Sequence, residues 1–289
     1  MLALDFDADN LGHDGRPISA LTPGDRLPGG ARAWERLGIG HRCETWLAWS
    51  ARLCAPVVVK FPRPDQIGEP RARRALTREV AALRDNLHPA LPRLYRDGTD
   101  DAFAFLELEY VDGNALDQDI EQHGRFSPVE LALLVAQLLA GLRAIHGRGI
   151  VHVDVKPDNV MIREGHPVLV DFGSARAIGS PQPAGTMIGS PGYAAPELEA
   201  GAPLSPAMDL YGIGTILYEA LTGAAAFEPD VPAADRPEPE PLDPSATADL
   251  ALRLLDPDPA ARGDLEDALG ELARISADGG AAFRPDWAR

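Results

Sequence analysis

The sequence predicts an α+β fold in two lobes, a small β-rich lobe with one main helix followed by a larger, mainly helical lobe. Three observations carry that expectation. With 289 residues, 45% of them hydrophobic, the chain can build a sizeable core and stands near the length at which one core divides. Strand-like runs gather before residue 108, and long stretches with helical apolar spacing dominate after it.

The elements follow in order. Residues 1–30 are rich in Asp, Gly and Pro with few large apolar groups, and read as a loose tail or a strap over the small lobe. The small lobe spans 31–108, with strands expected at 44–49, 57–61 and 102–107. A helix over 72–86 places Leu76, Val80 and Leu83 on one apolar stripe. The larger lobe spans 109–272, its first residues forming a hinge. Helices are expected at 128–146, 208–221 and 245–255, the first with Ser127 as N-cap and Pro128 at the first helical position. The stretch 228–244 is acidic and proline-rich, which predicts an irregular connection. Residues 273–289 read as a tail, and no internal repeat is visible.

A net charge of -17 disfavours nucleic acid and anionic membrane surfaces, since both select positive charge. It would suit a substrate with basic flanks, although a solvated acidic surface is the simpler explanation. Two cysteines, Cys43 and Cys54, give no disulfide framework. No basic segment followed by an apolar one opens the chain, and no uninterrupted apolar run approaches the ~20 residues of a membrane span. The expectation is a soluble, cytoplasmic protein.

The most informative stretch is His152 to Asn159, HVDVKPDN, followed by Asp171-Phe172-Gly173. Asp154 is a candidate base for a hydroxyl nucleophile, and Lys156, two residues on, can reach the same phosphoryl group. Asn159 and Asp171 supply hard oxygen ligands suited to magnesium shared with nucleotide phosphates. Together they equip a chain for ATP-dependent phosphoryl transfer. A run such as Pro157-Asp158-Asn159 can also be an ordinary turn. The apolar strand at 168–170, leading straight into Asp171 and a glycine, favours a presented ligand.

Upstream, Leu37-Gly38-Ile39-Gly40 opens a glycine-rich hairpin, and Val57-Val58-Val59-Lys60 ends in a lysine. Downstream stand Ala195-Pro196-Glu197, Asp209 and Arg262. In this order, from about residue 31 to 272, the motifs resemble the eukaryotic-like (Hanks-type) serine/threonine protein kinase family, of bacterial type. The resemblance implies a protein-kinase-like bilobal fold using ATP with Mg2+, or Mn2+ in its place. Lys60 would reach the α and β phosphates with Glu79 as its anionic partner. Gly38, Gly40, Cys43, Thr45, Val58, Leu108, Glu109, Val111 and Met161 would surround the nucleotide. Asp154, Lys156, Lys60 and Glu79 would be the catalytic set, with Asn159 and Asp171 as metal ligands. Arg262 would pair with Glu197, and Asp209 would hold the catalytic loop from below. His152 reads as structural, stacked with Phe172 and anchored to Asp209.

The implied partner is a protein substrate, with autophosphorylation at Thr186 or Ser190 as an option and the oligomeric state open. The sequence also departs from the family pattern. Val153 replaces the arginine that pairs with a phosphorylated activation loop, so obligatory loop phosphorylation is not expected. Cys43 stands at the third glycine position, where a partly exposed thiol would be open to modification. Thr45 and Val58 add polarity and bulk around the nucleotide. Two alternatives stay open: a small-molecule phosphotransferase of related fold, and a nucleotide-binding pseudokinase scaffold. Retention of Lys60, Asp154 and Asp171 speaks against the second.

Overall fold

The structure, a computed structural model, describes residues 11–12, 15–16, 18–182 and 188–278. It divides into two compact units, one comprising Met1–Leu87 with Pro92–Tyr110, the other His88–Leu91 with Val111–Arg289. The first is β-rich with one main helix, and the second is mainly helical.

The first unit is built on an antiparallel sheet ordered β1-β2-β3-β5-β4: β1 Arg32–Ile39, β2 Cys43–Ser50, β3 Ala55–Pro62, β4 Leu94–Asp97 and β5 Leu106–Glu109. Strand alternation sorts the side chains. Trp46 and Ala48 of β2 and Val57, Val59 and Phe61 of β3 face one way, into a core closed by Leu27, Ala31 and Phe105. The described part of the 1–30 segment is tied to this sheet. Ser19 donates both its N–H and its hydroxyl to the buried Glu44 carboxylate, each at 2.6 Å. Helix α1, Pro70–Leu83, starts on a proline and stops where Asp85 takes φ 59°, a left-handed conformation that ends a helix. It is shorter than the expected 72–86 at its C-terminal end for that reason.

The strand expected at 102–107 is displaced to Leu106–Glu109. Gly98 and Phe105 exchange backbone hydrogen bonds at 3.0 and 3.3 Å, closing a loop across the apolar run 102–105. The Phe105 ring lies where a Cβ on Gly98 would stand, 2.1 Å from its nearest atom, so only glycine fits there. Strand β4 has too few residues for alternation to reveal it.

The second unit comprises β6 Asn114–Ala115, α2 Leu116–His123, α3 Pro128–His146, β7 Ile150–Val151, β8 Val160–Arg163, β9 His166–Leu169 and β10 Arg176–Ala177. There follow α4 Pro196–Glu199, α5 Pro206–Thr222, α6 Ala246–Leu254 and α7 Leu265–Asp278. Helix α3 matches its expected bounds, with the Ser127 hydroxyl accepting from the Glu130 N–H. By length and composition it could cross a membrane. Here it is a core helix, with Leu131, Leu134, Val135, Leu138, Leu142 and Ile145 buried against α5, α6, α7 and β9. Helix α5 is buried on nearly every side. Gly212 lets it reach the loop between β7 and β8, since a Cβ there would stand 2.5 Å from the Val155 carbonyl. The 228–244 connection is irregular apart from one turn of 3-10 helix, Ala233–Asp235. Helix α7 continues to Asp278, inside the stretch read as a tail.

Candidate active site

Sheet register gathers the first group of residues. Gly38 lies opposite Thr45, Thr45 opposite Lys60, and Lys60 opposite Leu106; Val58 lies opposite Leu47 and Leu108, and Cys43 opposite Pro62. Directly opposed residues share a face. Gly38, Cys43, Thr45, Val58, Lys60 and Leu108 therefore stand together on the side away from the Trp46–Phe61 core. Gly40 closes the β1–β2 hairpin by donating its N–H to the Cys43 carbonyl at 2.8 Å. Space around Gly38 is open, so no crowding there demands glycine.

Lys60 donates to Glu79 Oε2 at 2.8 Å. Helix α1 delivers that carboxylate from its buried stripe, where Glu79 is only 2% exposed. Burying the pair is tolerable because each charge meets the other. Cys43 differs from expectation: it is 6% exposed, while Cys54 is the exposed cysteine. At the end of β5, Leu108 is buried. Glu109 gives its N–H to the Arg93 carbonyl at 2.8 Å and takes the Arg93 N–H on its carboxylate at 3.1 Å.

In the second unit, the loop between β7 and β8 is held from beneath by Asp209 of α5. One carboxylate oxygen accepts the Val153 N–H at 2.7 Å, and the other accepts the His152 N–H at 2.9 Å and meets His146 Nε2 at 2.7 Å. Burial alone would raise the Asp209 pKa. The His146 hydrogen bond and charge, with His152 nearby, outweigh it and hold the carboxyl below its ordinary range. Asp209 thus anchors the backbone of His152, not its ring. The ring stacks edge-on against Phe172 with centroids 4.7 Å apart. Its Nδ1 accepts the Asp154 N–H at 3.3 Å and its Nε2 faces the Val170 carbonyl at 3.2 Å. Both contacts are satisfied by the tautomer protonated at Nε2, which makes this histidine a strut.

Val153 is buried with φ 72°, an unusual conformation for a β-branched residue, and Asp209 holds it there. It packs with Ile188 and Ala194, where the family pattern has an arginine. Asp154, next in the chain, has both carboxylate oxygens engaged. Ser190 Oγ donates to Oδ1 at 2.7 Å and Asn159 Nδ2 to Oδ2 at 3.2 Å. Asn159 Nδ2 also donates to the Asp154 carbonyl at 2.8 Å. With the amide nitrogen committed to Asp154, the amide oxygen is the Asn159 atom suited to a cation. Asp171 is exposed, at φ 60°, and accepts the Gly173 N–H at 3.2 Å. The Val170 N–H donates to the Asn159 carbonyl at 2.8 Å, tying the two candidate ligands' backbones together. An amide and a carboxylate oxygen fit a hard divalent ion that takes its remaining ligands from phosphate and water. Among the described residues no cluster of three or more His, Cys, Asp or Glu is arranged for a metal.

Lys156 stands 3.9 Å from Asp158. Met161 in β8 lies opposite Ala115 and Val168. Arg262 donates from Nη1 and Nη2 to the two oxygens of Glu197 at 2.7 and 2.8 Å. Thr186 lies outside the described residues. Sequence reasoning missed an acidic group around Tyr193. Burial raises the Glu219 pKa, the Tyr193 hydrogen bond opposes this, and Asp158 and Asp117 raise it further. Burial raises Asp117 as well, with Asp158 adding to it and Lys156 opposing. Burial and the Glu219 carboxylate, 3.0 Å from its hydroxyl, push the Tyr193 phenol far upward. Asp117 Oδ1 is buried with no hydrogen-bond partner among the described residues. No local signal marks these groups, because they come from α2, the catalytic loop and α5. His146 was missed for a similar reason: a basic residue in the last turn of a helix is ordinary.

Comparison with known proteins bears on the same arrangement. The model of the protein kinase domain family matches residues 32–270. Serine/threonine-protein kinase PkaA of Streptomyces coelicolor is 34% identical over 67% of the chain and 39% of its own length. Serine/threonine-protein kinase pkn2 of Myxococcus xanthus is 31% identical over 90% of the chain and 34% of its own length. Serine/threonine-protein kinase PknB of Mycobacterium tuberculosis is 34% identical over 73% of the chain and 36% of its own length. The chain thus spans well under half the length of these curated relatives.

Proposed function

The chain belongs to the protein kinase domain family, and from that premise we propose that it transfers the γ-phosphoryl group of ATP to serine or threonine hydroxyls of a protein substrate. The observation that carries the reading is the Asp154 carboxylate, held on one oxygen by Ser190 and on the other by Asn159. A base fixed at both ends can orient a hydroxyl and accept its proton without reorganising. Lys156 stabilises charge on the transferred group. Lys60, steadied by Glu79, contacts the α and β phosphates. Asn159 and Asp171 would hold the divalent ion, Mg2+ in preference to Mn2+, which when bound would neutralise phosphate charge.

The substrate carries basic residues beside the acceptor hydroxyl. Support comes from the Asp117, Asp158 and Glu219 carboxylates, all of which act on Tyr193, and from the buried Asp117 oxygen that has no hydrogen-bond partner among the described residues. Autophosphorylation falls on Thr186 rather than Ser190, because the Ser190 hydroxyl is already committed to Asp154. Among the described residues Cys43 and Cys54 form no disulfide, in keeping with a reducing, cytoplasmic setting.

Intact-mass analysis after incubation with Mg-ATP, alone and with a generic basic protein, tests the reading beside an Asp154→Asn control. Mass increments of one phosphate on the added protein, absent from the control, are expected. Transfer to neither the protein nor the chain itself would overturn it in favour of a nucleotide-binding scaffold.

A further inference from the structure

Helix α4 carries two acids, and each meets a buried arginine. Glu197 pairs with Arg262. Glu199 pairs with Arg236, which comes from the proline-rich 228–244 connection and whose side chain is 4% exposed. Arg236 Nη1 also donates to the Ala194 carbonyl at 2.8 Å and to the Tyr211 hydroxyl at 3.2 Å. Its guanidinium lies 5.2 Å from the centroid of Phe227, whose ring is nearly parallel to Tyr211 at 6.3 Å. Arg262 approaches Tyr211 at 4.9 Å. Glu199 accepts the Ala233 N–H at 2.8 Å, so the connection is fastened by backbone as well as side chain. It also backs directly onto the turn before α4: a Cβ on Gly192 would stand 3.6 Å from Pro229 Cα.

The contacts continue to the base. The Ala194 N–H donates to the Ser190 carbonyl at 3.0 Å, and Ser190 Oγ donates to Asp154 at 2.7 Å. Resting on the phosphoryl-transfer reading above, we propose that Arg236 is a positioning residue: it fixes the backbone at Ala194, and through Ser190 it fixes the Asp154 carboxylate. The connection it belongs to is a brace for the substrate platform. Stability alone is a weak reason to bury this ion, because its Nε is buried with no hydrogen-bond partner among the described residues and replacing buried ion pairs with apolar groups is often neutral or better. A planar fork that reaches a carbonyl, a phenol and a carboxylate at once is suited to holding three elements in register.

The test uses the full chain and compares wild type with Arg236→Met, Ser190→Ala and the double variant. Arg236→Met should lower kcat toward the basic protein about tenfold, within the usual range for coupling through packed and hydrogen-bonded groups, and leave nucleotide affinity by calorimetry within twofold. In the Ser190→Ala background the same substitution should add nothing, since its route is already cut. Independent, multiplying losses in kcat would overturn the proposal. Amide exchange in a peptide covering residues 190–195 gives an arm that needs no activity. It should quicken in Arg236→Met and stay unchanged in a peptide from α1; unaltered exchange across 190–195 would overturn the proposal by itself. If wild type transfers no phosphate while that exchange responds, the phosphoryl-transfer reading fails and the brace stands. Should Arg236→Met not fold, Glu199→Gln keeps the guanidinium buried against a neutral acceptor and should show both effects in weaker form, their absence again overturning the proposal.

Discussion

Asp154→Asn keeps the size of the side chain and an oxygen for Ser190, so the loop should survive while proton acceptance is lost. Single-turnover transfer should fall by roughly 10²–10⁴-fold, the usual scale for a positioned acid-base group, with nucleotide affinity little changed. Wild-type transfer by the variant would remove Asp154 from its role. Asp209 gives a different test. Its folded-state pKa is depressed, so its contribution to stability is fully present above the unfolded value near 3.8 and is lost as pH falls through the lower folded value. Asp209→Asn should therefore cost most near neutrality, and the gap in urea midpoint from wild type should close as pH drops below about 4. A gap that holds constant to pH 3 would show that the carboxylate's charge is not what the loop depends on. Individual candidates were legible where chemistry is local. Asp154, Asn159 and Asp171 stand within one short stretch, whereas the contacts of His146 and Glu219 come only from partners distant in sequence.

Helix α3 was readable to the residue because its signals are consecutive: a serine cap, a proline at the first position, then apolar periodicity. Helix α2 offers only Leu116 and Ile120 as buried apolar residues, too few for a period. The proline-rich connection shows the reverse limit. Its irregular backbone is written in its prolines, but the anchoring of Arg236 depends on α4 and α5 and leaves no trace in neighbouring residues. The Glu197–Arg262 pair also joins separate elements, and Arg262 is fully buried. Arg262→Leu strands a partly buried carboxylate and should cost about 3–5 kcal/mol, measurable as an earlier unfolding midpoint. A loss under about 1 kcal/mol would mean that water replaces the guanidinium without penalty. The segment before α4 carries a second expectation. With Val153 buried against Ile188 and Ala194, the catalytic loop offers no guanidinium at that position for a loop phosphate. Thr186→Ala should thus retain most of the transfer rate, and a complete loss restored by Thr186→Glu would require a different basic receptor.

The two-part organisation was legible from the change in periodicity along the chain, and the family from the order of its motifs. What remained hidden was how register turns a list of residues into a surface. Gly38, Thr45 and Lys60 are scattered in sequence, and only antiparallel pairing puts them on one face. Charge is a property of the whole chain in the same sense. The net value of -17 comes from 44 acidic against 27 Lys and Arg side chains, and it acts on a partner through the summed field. If the substrate is basic, that field should speed encounter and fade as the Debye length shrinks from about 10 Å at 0.1 M salt to several ångströms near 0.5 M. KM for a basic protein substrate should therefore rise several-fold over that range, with kcat and nucleotide affinity nearly constant. Asp117→Asn and Asp158→Asn should each raise KM at low salt and flatten the dependence, because they remove charge from the group around Tyr193. A KM indifferent to salt, with both variants at wild-type values, would assign the acidity of this protein to solvation and leave recognition to uncharged contacts.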